Sequence, residues 1–157
     1  MVPPERWEVE QLLCAESDAL VCGEVDWVAQ QGRTVEARLP IYGNSVNGEG
    51  EVVLRAKELA PEALHATVVL RGSAVGRGCW NSPHREAGQI YDLPAHGHIF
   101  GNGSRLIYDP APPLDKISPD GQVRPWEYRT AIKSFLEWCC LEHSALDWVD
   151  PWEGGAP

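Results

Sequence analysis

Three of the five histidines in the chain fall between Trp80 and Phe100, at His84, His96 and His98. Histidine titrates near neutral pH, so two imidazoles at one place can act as general base and general acid. Cleavage of RNA by its own 2′-hydroxyl group needs those two roles together with a cation that holds the phosphate. The histidine cluster therefore indicates a candidate phosphodiesterase site that needs no metal.

Neighbouring side chains fit the same chemistry. Arginine binds phosphate through two parallel hydrogen bonds, and Arg77, Arg85 and Arg105 are close in sequence. A tyrosine can stack on a base or donate a proton, and Tyr91 and Tyr108 are available for this. The predicted catalytic set is His84, His96, His98, Arg85 and Tyr108.

The same histidines allow an alternative reading as a zinc site. His96 and His98 are two residues apart, so on a strand they project from one face with Cβ atoms roughly 6–7 Å apart. With His84 as a third ligand, they could bind a zinc ion that activates water for hydrolysis. Nearby candidates for a further ligand are Cys79, Glu86 and Asp92.

A purely structural role is the third interpretation of the cluster. Histidines beside hairpins often bond to the backbone and stiffen loops. Pro83 and Pro94 indicate a region rich in loops, which suits that role. His65-Ala66-Thr67 is a lone H-x-T element, and two-histidine phosphoesterases need two of them, so His65 is predicted to be an ordinary strand residue.

Alternating apolar and polar residues predict an antiparallel sheet. The run 34–41 places Val35, Ala37 and Leu39 on one face and Glu36 and Arg38 on the other. We expect four strands between residues 20 and 73, a loop at 42–50 and a flexible break at 72–78. Asn-Gly at 102–103 predicts a hairpin whose first strand carries His96 and His98.

Two helices are predicted to flank the sheet. Residues 4–16 form a short helix with Trp7 and Leu12 or Leu13 facing inward. Residues 126–142 form an amphipathic helix packed on the sheet. The fold class is therefore α+β, with five or six antiparallel strands in a single domain spanning 1–157. The tail at 144–157 either hangs free or packs through its tryptophans. The predicted inward side chains of the second helix are Tyr128, Ala131, Ile132, Phe135, Leu136 and Cys139.

Charge is unevenly distributed along the chain, whose net charge is −10. Residues 1–26 hold seven acidic side chains against one arginine, and residues 126–157 hold six against two basic ones. Residues 27–109 hold eight of each sign. This distribution disfavours a broad nucleic-acid-binding face, but a polyanion can meet the neutral middle. The acidic ends favour a basic protein partner.

Cysteine usage and hydropathy indicate the cellular compartment in which the protein is expected. The five cysteines are odd in number and include the adjacent Cys139 and Cys140, which argues against a disulfide framework. At most one of this adjacent pair should face the core, as a structural thiol. There is no signal-peptide pattern and no long apolar run, so we expect no membrane association and a cytoplasmic location, in a bacterial or phage setting.

The order of short motifs resembles a known group of proteins. Pro83-His84, Pro94-Ala95-His96-Gly97-His98, a Gly-rich turn and a last helix with Phe135 to Cys139 follow one another over about residues 65–142. This is similar to small bacterial proteins with a P-H…P-H-x-H core, which include an uncharacterised family and the TumE-type toxins of toxin–antitoxin systems. The resemblance implies a toxin acting on RNA, with the three histidines as its site. In this chain Ala95 splits the second Pro-His pair.

Two functions are therefore predicted. The first is a toxin-like or defence-related ribonuclease or phosphodiesterase acting on RNA or a nucleotide, with zinc as a candidate cofactor. The alternative is a non-catalytic acidic protein that binds a basic partner, as an inhibitor, a nucleic-acid mimic or a subunit.

Overall fold

The fold was analysed in a computed structural model that describes residues 2–80, 84–86, 89–91, 95–101, 105–108 and 123–152. Between residues 84 and 108, side chains are described only for residues 97–99. In chain order, the elements are α1 (Arg6–Leu12), β1 (Leu20–Val21), β2 (Gly23–Glu24), β3 (Val28–Gln30), β4 (Thr34–Tyr42), β5 (Gly50–Lys57), β6 (Ala60–Leu70), β7 (Ser73–Trp80), β8 (His84–Glu86), β9 (Gln89–Tyr91), β10 (Ala95–Gly101), β11 (Arg105–Tyr108), a 3₁₀ turn (Pro125–Glu127), α2 (Tyr128–Trp138) and β12 (Leu146–Asp147).

One antiparallel sheet dominates the described part of the chain. Its strands run in the order β1-β4-β5-β6-β7-β10-β11, and β3 also pairs with β4. The predicted mixture of helices and antiparallel sheet is confirmed, but the strand count is larger than expected. The sheet has eight strands among the described residues, not five or six, because the short edge strands β1 and β3 both pair with β4.

The long central strands follow the alternation in the sequence. Along β6, Leu64, Ala66, Val68 and Leu70 are fully buried, and the residues between them are half-buried. These apolar residues form one face of the sheet and face the core. The predicted loop at 42–50 separates β4 from β5, and the predicted hairpin joins β10 to β11. Its turn, 102–104, lies outside the described residues.

The predicted flexible break at 72–78 is wrong. These residues belong to the turn into β7 and to β7 itself, which pairs with β6 on one side and β10 on the other. Glycine has a low strand propensity, but hydrogen bonding to two neighbours and burial of Val75, Cys79 and Trp80 outweigh it. This strand is the one that places β10, and with it two of the histidines, in the sheet.

The N-terminal helix is shorter than predicted and is rotated relative to the prediction. Leu12 is fully buried as expected, but Trp7 is 61% exposed. Glu8 takes the inward position because it forms an ion pair with Arg71, and neighbouring residues of a helix point about 100° apart. Glu8 also completes a capping box with Glu5 at the helix start.

Five of the six side chains that were predicted to face inward are buried within the C-terminal helix, and the sixth, Cys139, is buried at its C-cap. The helix itself spans Tyr128–Trp138, preceded by the 3₁₀ turn, and is shorter than the predicted 126–142. The ring of Phe135 meets Trp80 of β7 edge-on at 6.2 Å. A Cβ placed on Gly97 would lie 2.8 Å from the ring of Trp138, so this helix end lies directly against β10.

The C-terminal segment packs onto the domain as far as Trp152. Leu146–Asp147 pair in parallel with Gly23–Glu24, and Trp148 meets Trp27 edge-on at 6.1 Å. The ring of Trp152 lies 6.2 Å from that of Tyr128. The last residues of the predicted tail, 153–157, lie outside the described residues.

Candidate functional site

The sheet has a second face, opposite the core, that carries polar side chains. We call it the outer face. Strand alternation and register assign to it Glu36, Arg38, Glu51, Val53, Arg55, His65, Thr67, Arg77, Cys79, His96 and His98.

The register aligns the histidines of β10 with residues of the neighbouring strands. His98 lies opposite Arg77, which in turn lies opposite Thr67. His96 lies opposite Cys79, which lies opposite His65. Directly opposite residues in an antiparallel pair share a face, so both histidines belong to the outer face.

The outer face is open at one end and closed at the other. Arg38 of β4 and Arg55 of β5 are more than half exposed. Toward β10, by contrast, the side chains of Cys79 and His98 are buried, and Arg77 is half-buried. A ligand on this face would therefore reach the arginines from solvent, and the His98 imidazole lies below the surface.

Two of the outer-face arginines are held by one carboxylate. The two oxygens of Glu36 accept hydrogen bonds from Nε of Arg38 at 2.7 Å and Nε of Arg55 at 2.6 Å. Glu36 is only 10% exposed. Burial alone would raise the pKa of Glu36, but the hydrogen bonds from Arg55 and Arg38 outweigh it and lower that pKa. We call these three residues the arginine clamp.

The remaining predicted site residues are placed only by their backbone. His84 and Arg85 lie on β8, which pairs with β9 in a separate two-stranded sheet, with His84 opposite Tyr91. Tyr108 ends β11 and lies opposite Ile99 of β10. The side chains of His84, Arg85, His96 and Tyr108 lie outside the described residues, so their catalytic roles stay predictions.

Zinc binding also stays a prediction. Within the described part of the chain, no three His, Cys, Asp or Glu side chains are close enough together to hold a metal ion. Two of the three predicted ligands, His84 and His96, fall outside that set.

The adjacent thiols Cys139 and Cys140 both have raised pKa values. All five are free thiols. Burial raises the pKa of Cys139 well above its ordinary value, and Cys140 is half-buried, so one member of the pair faces the core as predicted. A thiol that holds its proton this strongly is a poor nucleophile.

The sequence reasoning did not find the arginine clamp. Alternation in 34–41 placed Glu36 and Arg38 on one face, but Arg55 comes from another strand. Which residue of β5 lies opposite Glu36 depends on a register that the pattern leaves open. The sequence signal for the clamp was Glu36 beside Arg38 on the polar face, and it does not identify Arg55.

Comparison of the chain with protein-family models, with curated proteins and with solved structures finds no match. Among the described residues, no helix is both long and apolar enough to cross a bilayer.

Proposed function

We propose that the protein is a toxin-like or defence-related phosphodiesterase that cleaves RNA at the histidine end of the outer face. The observation that supports this most directly is the register of β10. It aligns His98 with Arg77 and puts His96 on the same face of the same strand. His96 and Arg77 therefore lie on adjacent strands, which supports a site that combines an acid–base group with a cation for the phosphate.

The chemistry would use the RNA's own 2′-hydroxyl group as nucleophile. One histidine removes the proton from the 2′-oxygen, which forms a bond to phosphorus. The bond from phosphorus to the 5′-oxygen breaks, and a second histidine donates a proton to that leaving oxygen. The products are a 2′,3′-cyclic phosphate and a free 5′-hydroxyl end. In this proposal His84 and His96 accept and donate the protons, Arg77 holds the phosphate, and Tyr108 contacts a base. His84 and Arg85 are consecutive residues of β8, and consecutive strand residues project to opposite faces, so Arg85 would hold the phosphate only if His84 were not one of the two proton-transferring groups. The buried His98 would hold the neighbouring residues of the site in position without meeting the substrate.

The local charge is compatible with an anionic substrate. The chain as a whole carries −10, and such a surface repels nucleic acid. The outer face, in contrast, holds Arg38, Arg55 and Arg77 against Glu36 and Glu51. A short single strand can therefore approach this face, whereas a long duplex would meet the acidic ends.

The test is cleavage of a labelled single-stranded RNA by the purified protein, with DNA of the same sequence as the matched control. We expect RNA products that end in a 2′,3′-cyclic phosphate and no cleavage of the DNA, because DNA lacks the 2′-hydroxyl group. Elemental analysis of the same sample tests the zinc alternative. Cleavage of DNA and RNA alike, with stoichiometric zinc, would favour metal-activated water. Failure to cleave RNA in any condition would contradict the enzyme proposal.

A specific feature favours a second function, binding of a basic protein. The parallel pairing of β2 with β12 brings the two acidic ends of the chain together. Glu24, Asp26, Asp147 and Asp150 are all exposed there. Val149 and Val28 are exposed beside them and offer apolar contact area.

For that second function, neutralising the paired acidic ends should weaken binding to a basic probe. The variant Glu24→Gln/Asp26→Asn/Asp147→Asn is compared with the native chain for binding to poly-L-lysine over a range of salt concentrations. We expect weaker binding and a smaller salt dependence, since three exposed charges are lost. A control variant, Glu49→Gln/Glu58→Gln/Glu62→Gln, removes three charges from the neutral middle of the chain. Equal losses in both variants would contradict a localised acidic interface.

A further inference from the structure

A groove runs along the open end of the outer face. One depression of about 350 Å³ is lined by residues that include Arg38, Arg55, Thr67 and Arg77. A second, of about 550 Å³, is lined by residues that include Arg38 and Tyr42. The two depressions share Arg38, Glu51, Val69 and Gly72, so they form one continuous groove.

The groove leads away from the histidines. From β7 to β4 it crosses three inter-strand spacings, roughly 14 Å. Arg77 stands at the histidine end, beside the backbone of His98. Tyr42 ends β4 at the far end and is 59% exposed. Arg38 lies between them, and Arg55 also lines the depression at the histidine end.

The clamp presents guanidinium groups in a fixed orientation. Arg55 donates to Glu36 through Nε only, and within the described part of the chain its terminal nitrogens have no other hydrogen-bond acceptor. Arg38 donates through Nε to Glu36 and through Nη1 to Glu51. The carboxylate thus fixes one edge of each guanidinium and leaves terminal N–H groups of Arg55 directed to solvent. An arginine oriented in advance loses less conformational entropy when it binds a phosphate.

We propose that this groove binds the single-stranded RNA on one side of the cleavage position, with Arg38 and Arg55 on a backbone phosphate and a base stacked on Tyr42. Exposed arginines along a groove with an aromatic ring at its end form the usual means of holding single strands. Glu36 is a positioning residue, since it acts through the arginines. This inference deepens the proposed RNA cleavage and rests on it for the identity of the ligand.

Binding and cleavage are separated by using a 2′-O-methylated single-stranded oligonucleotide, which cannot be cut through its 2′-oxygen. Its Kd is measured by fluorescence anisotropy for the native chain and for Tyr42→Ala. We expect Tyr42→Ala to weaken binding by about 5- to 150-fold, the range for loss of one stacked base, and Tyr42→Phe to bind nearly normally. Trp126→Ala, which removes an exposed ring outside the groove lining, is the matched control.

The clamp is tested through salt dependence. Arg55→Ala should reduce the slope of log Kd against log salt by about 0.7, as expected for the loss of one phosphate contact with a single strand. Arg33→Ala removes an equally exposed, ion-paired arginine that does not line the groove, and it should leave the slope unchanged. Glu36→Gln removes a negative charge, so a simple field effect would tighten binding. If Glu36 instead acts by orienting Arg38 and Arg55, its replacement weakens RNA binding. We expect this weaker binding.

Each outcome decides a different point. Native-like binding by Tyr42→Ala and Arg55→Ala, tighter binding by Glu36→Gln, or no binding by the native chain would overturn the groove assignment. Equal competition by poly-L-glutamate would instead identify an acidic protein segment as the occupant. Groove-dependent binding of the methylated strand without cleavage of ordinary RNA would retain the groove and reject the proposed enzyme.

Discussion

Replacing Arg71 by alanine is expected to destabilise the fold by about 3 kcal/mol, because it leaves the Glu8 carboxylate buried without a counter-ion. Arg71 donates to the two oxygens of Glu8 through Nη1 at 2.9 Å and Nη2 at 2.7 Å. Glu8 is 7% exposed and Arg71 16%. This value is at the lower end of the usual destabilisation for breaking a buried ion pair, because Arg71 retains some contact with solvent. For a chain of this size the loss corresponds to a fall in Tm of roughly 6–12 °C.

The pair also joins distant parts of the chain. Arg71 donates to the carbonyl oxygens of Val2 and Asn47, so one guanidinium connects the N-terminus, the 43–49 loop and the turn between β6 and β7. Arg33→Ala is the matched control, because Arg33 also has a positive φ and a glutamate partner, but the side chains of that pair are 58% and 36% exposed. A much smaller change in Tm is expected for that surface pair. If Arg71→Ala and Arg33→Ala lowered Tm equally, burial of the Glu8–Arg71 pair would not contribute to its effect on stability.

The same pair sets a pH dependence. The hydrogen bond from Arg71, followed by that from the backbone of Glu5, lowers the pKa of Glu8 from 4.5 to about 2. Because the folded-state pKa is depressed, this stabilisation is complete above pH 4.5 and is lost as the pH falls from 4.5 toward 2. Glu8→Gln should flatten the stability profile in that window. Unchanged acid sensitivity in Glu8→Gln would mean that other carboxylates control acid unfolding.

Local patterns predicted those parts of the fold that depend on one segment at a time. The spacing in 126–142 identified the five buried residues of α2 and the buried Cys139 that follows it, and the Asn-Gly pair identified the hairpin that carries His96 and His98. Both signals come from residues close in sequence, so their physical cause is visible in the sequence itself.

The failures came from contacts made over long sequence distances. Trp7 was predicted to face the core because it is large and apolar, but the partner of Glu8 is 63 residues away. Residues 72–78 look flexible on their own and become a central strand only because β6 and β10 pair with them. The candidate site has the same limitation. The shared face of His96 and His98 follows from their spacing, whereas their alignment with Arg77 and the arginine clamp depends on register between strands.

The distribution of charge connects the two proposed functions with the fold. The pairing of β2 with β12 gathers acidic residues at one place, and the arginines of β4, β5 and β7 lie on the outer face. In the proposed ribonuclease, RNA would meet the acidic chain at that face. The acidic ends would disfavour longer or double-stranded nucleic acid by like-charge repulsion.

Replacing His96 by alanine is expected to lower the kcat of RNA cleavage by about 100- to 10,000-fold, the usual contribution of a general acid or base. The KM should change little, because the groove that holds the strand is intact. His143→Ala is the control for the loss of one imidazole, since His143 follows α2 and bonds to the backbone oxygen of Leu141. Rates are compared at a temperature at which melting curves show every variant to be folded.

His98 should behave differently from His96. Its imidazole is fully buried, so His98→Ala leaves a cavity and is expected to lower Tm as well as kcat. If His96→Ala lowers kcat alone and His98→Ala lowers both kcat and Tm, then His96 is the residue that contacts the substrate. His98 is then a residue that supports the site. If neither variant changed kcat while both remained folded, the histidines would have a structural role only. The paired acidic ends would then be the better candidate for the functional surface.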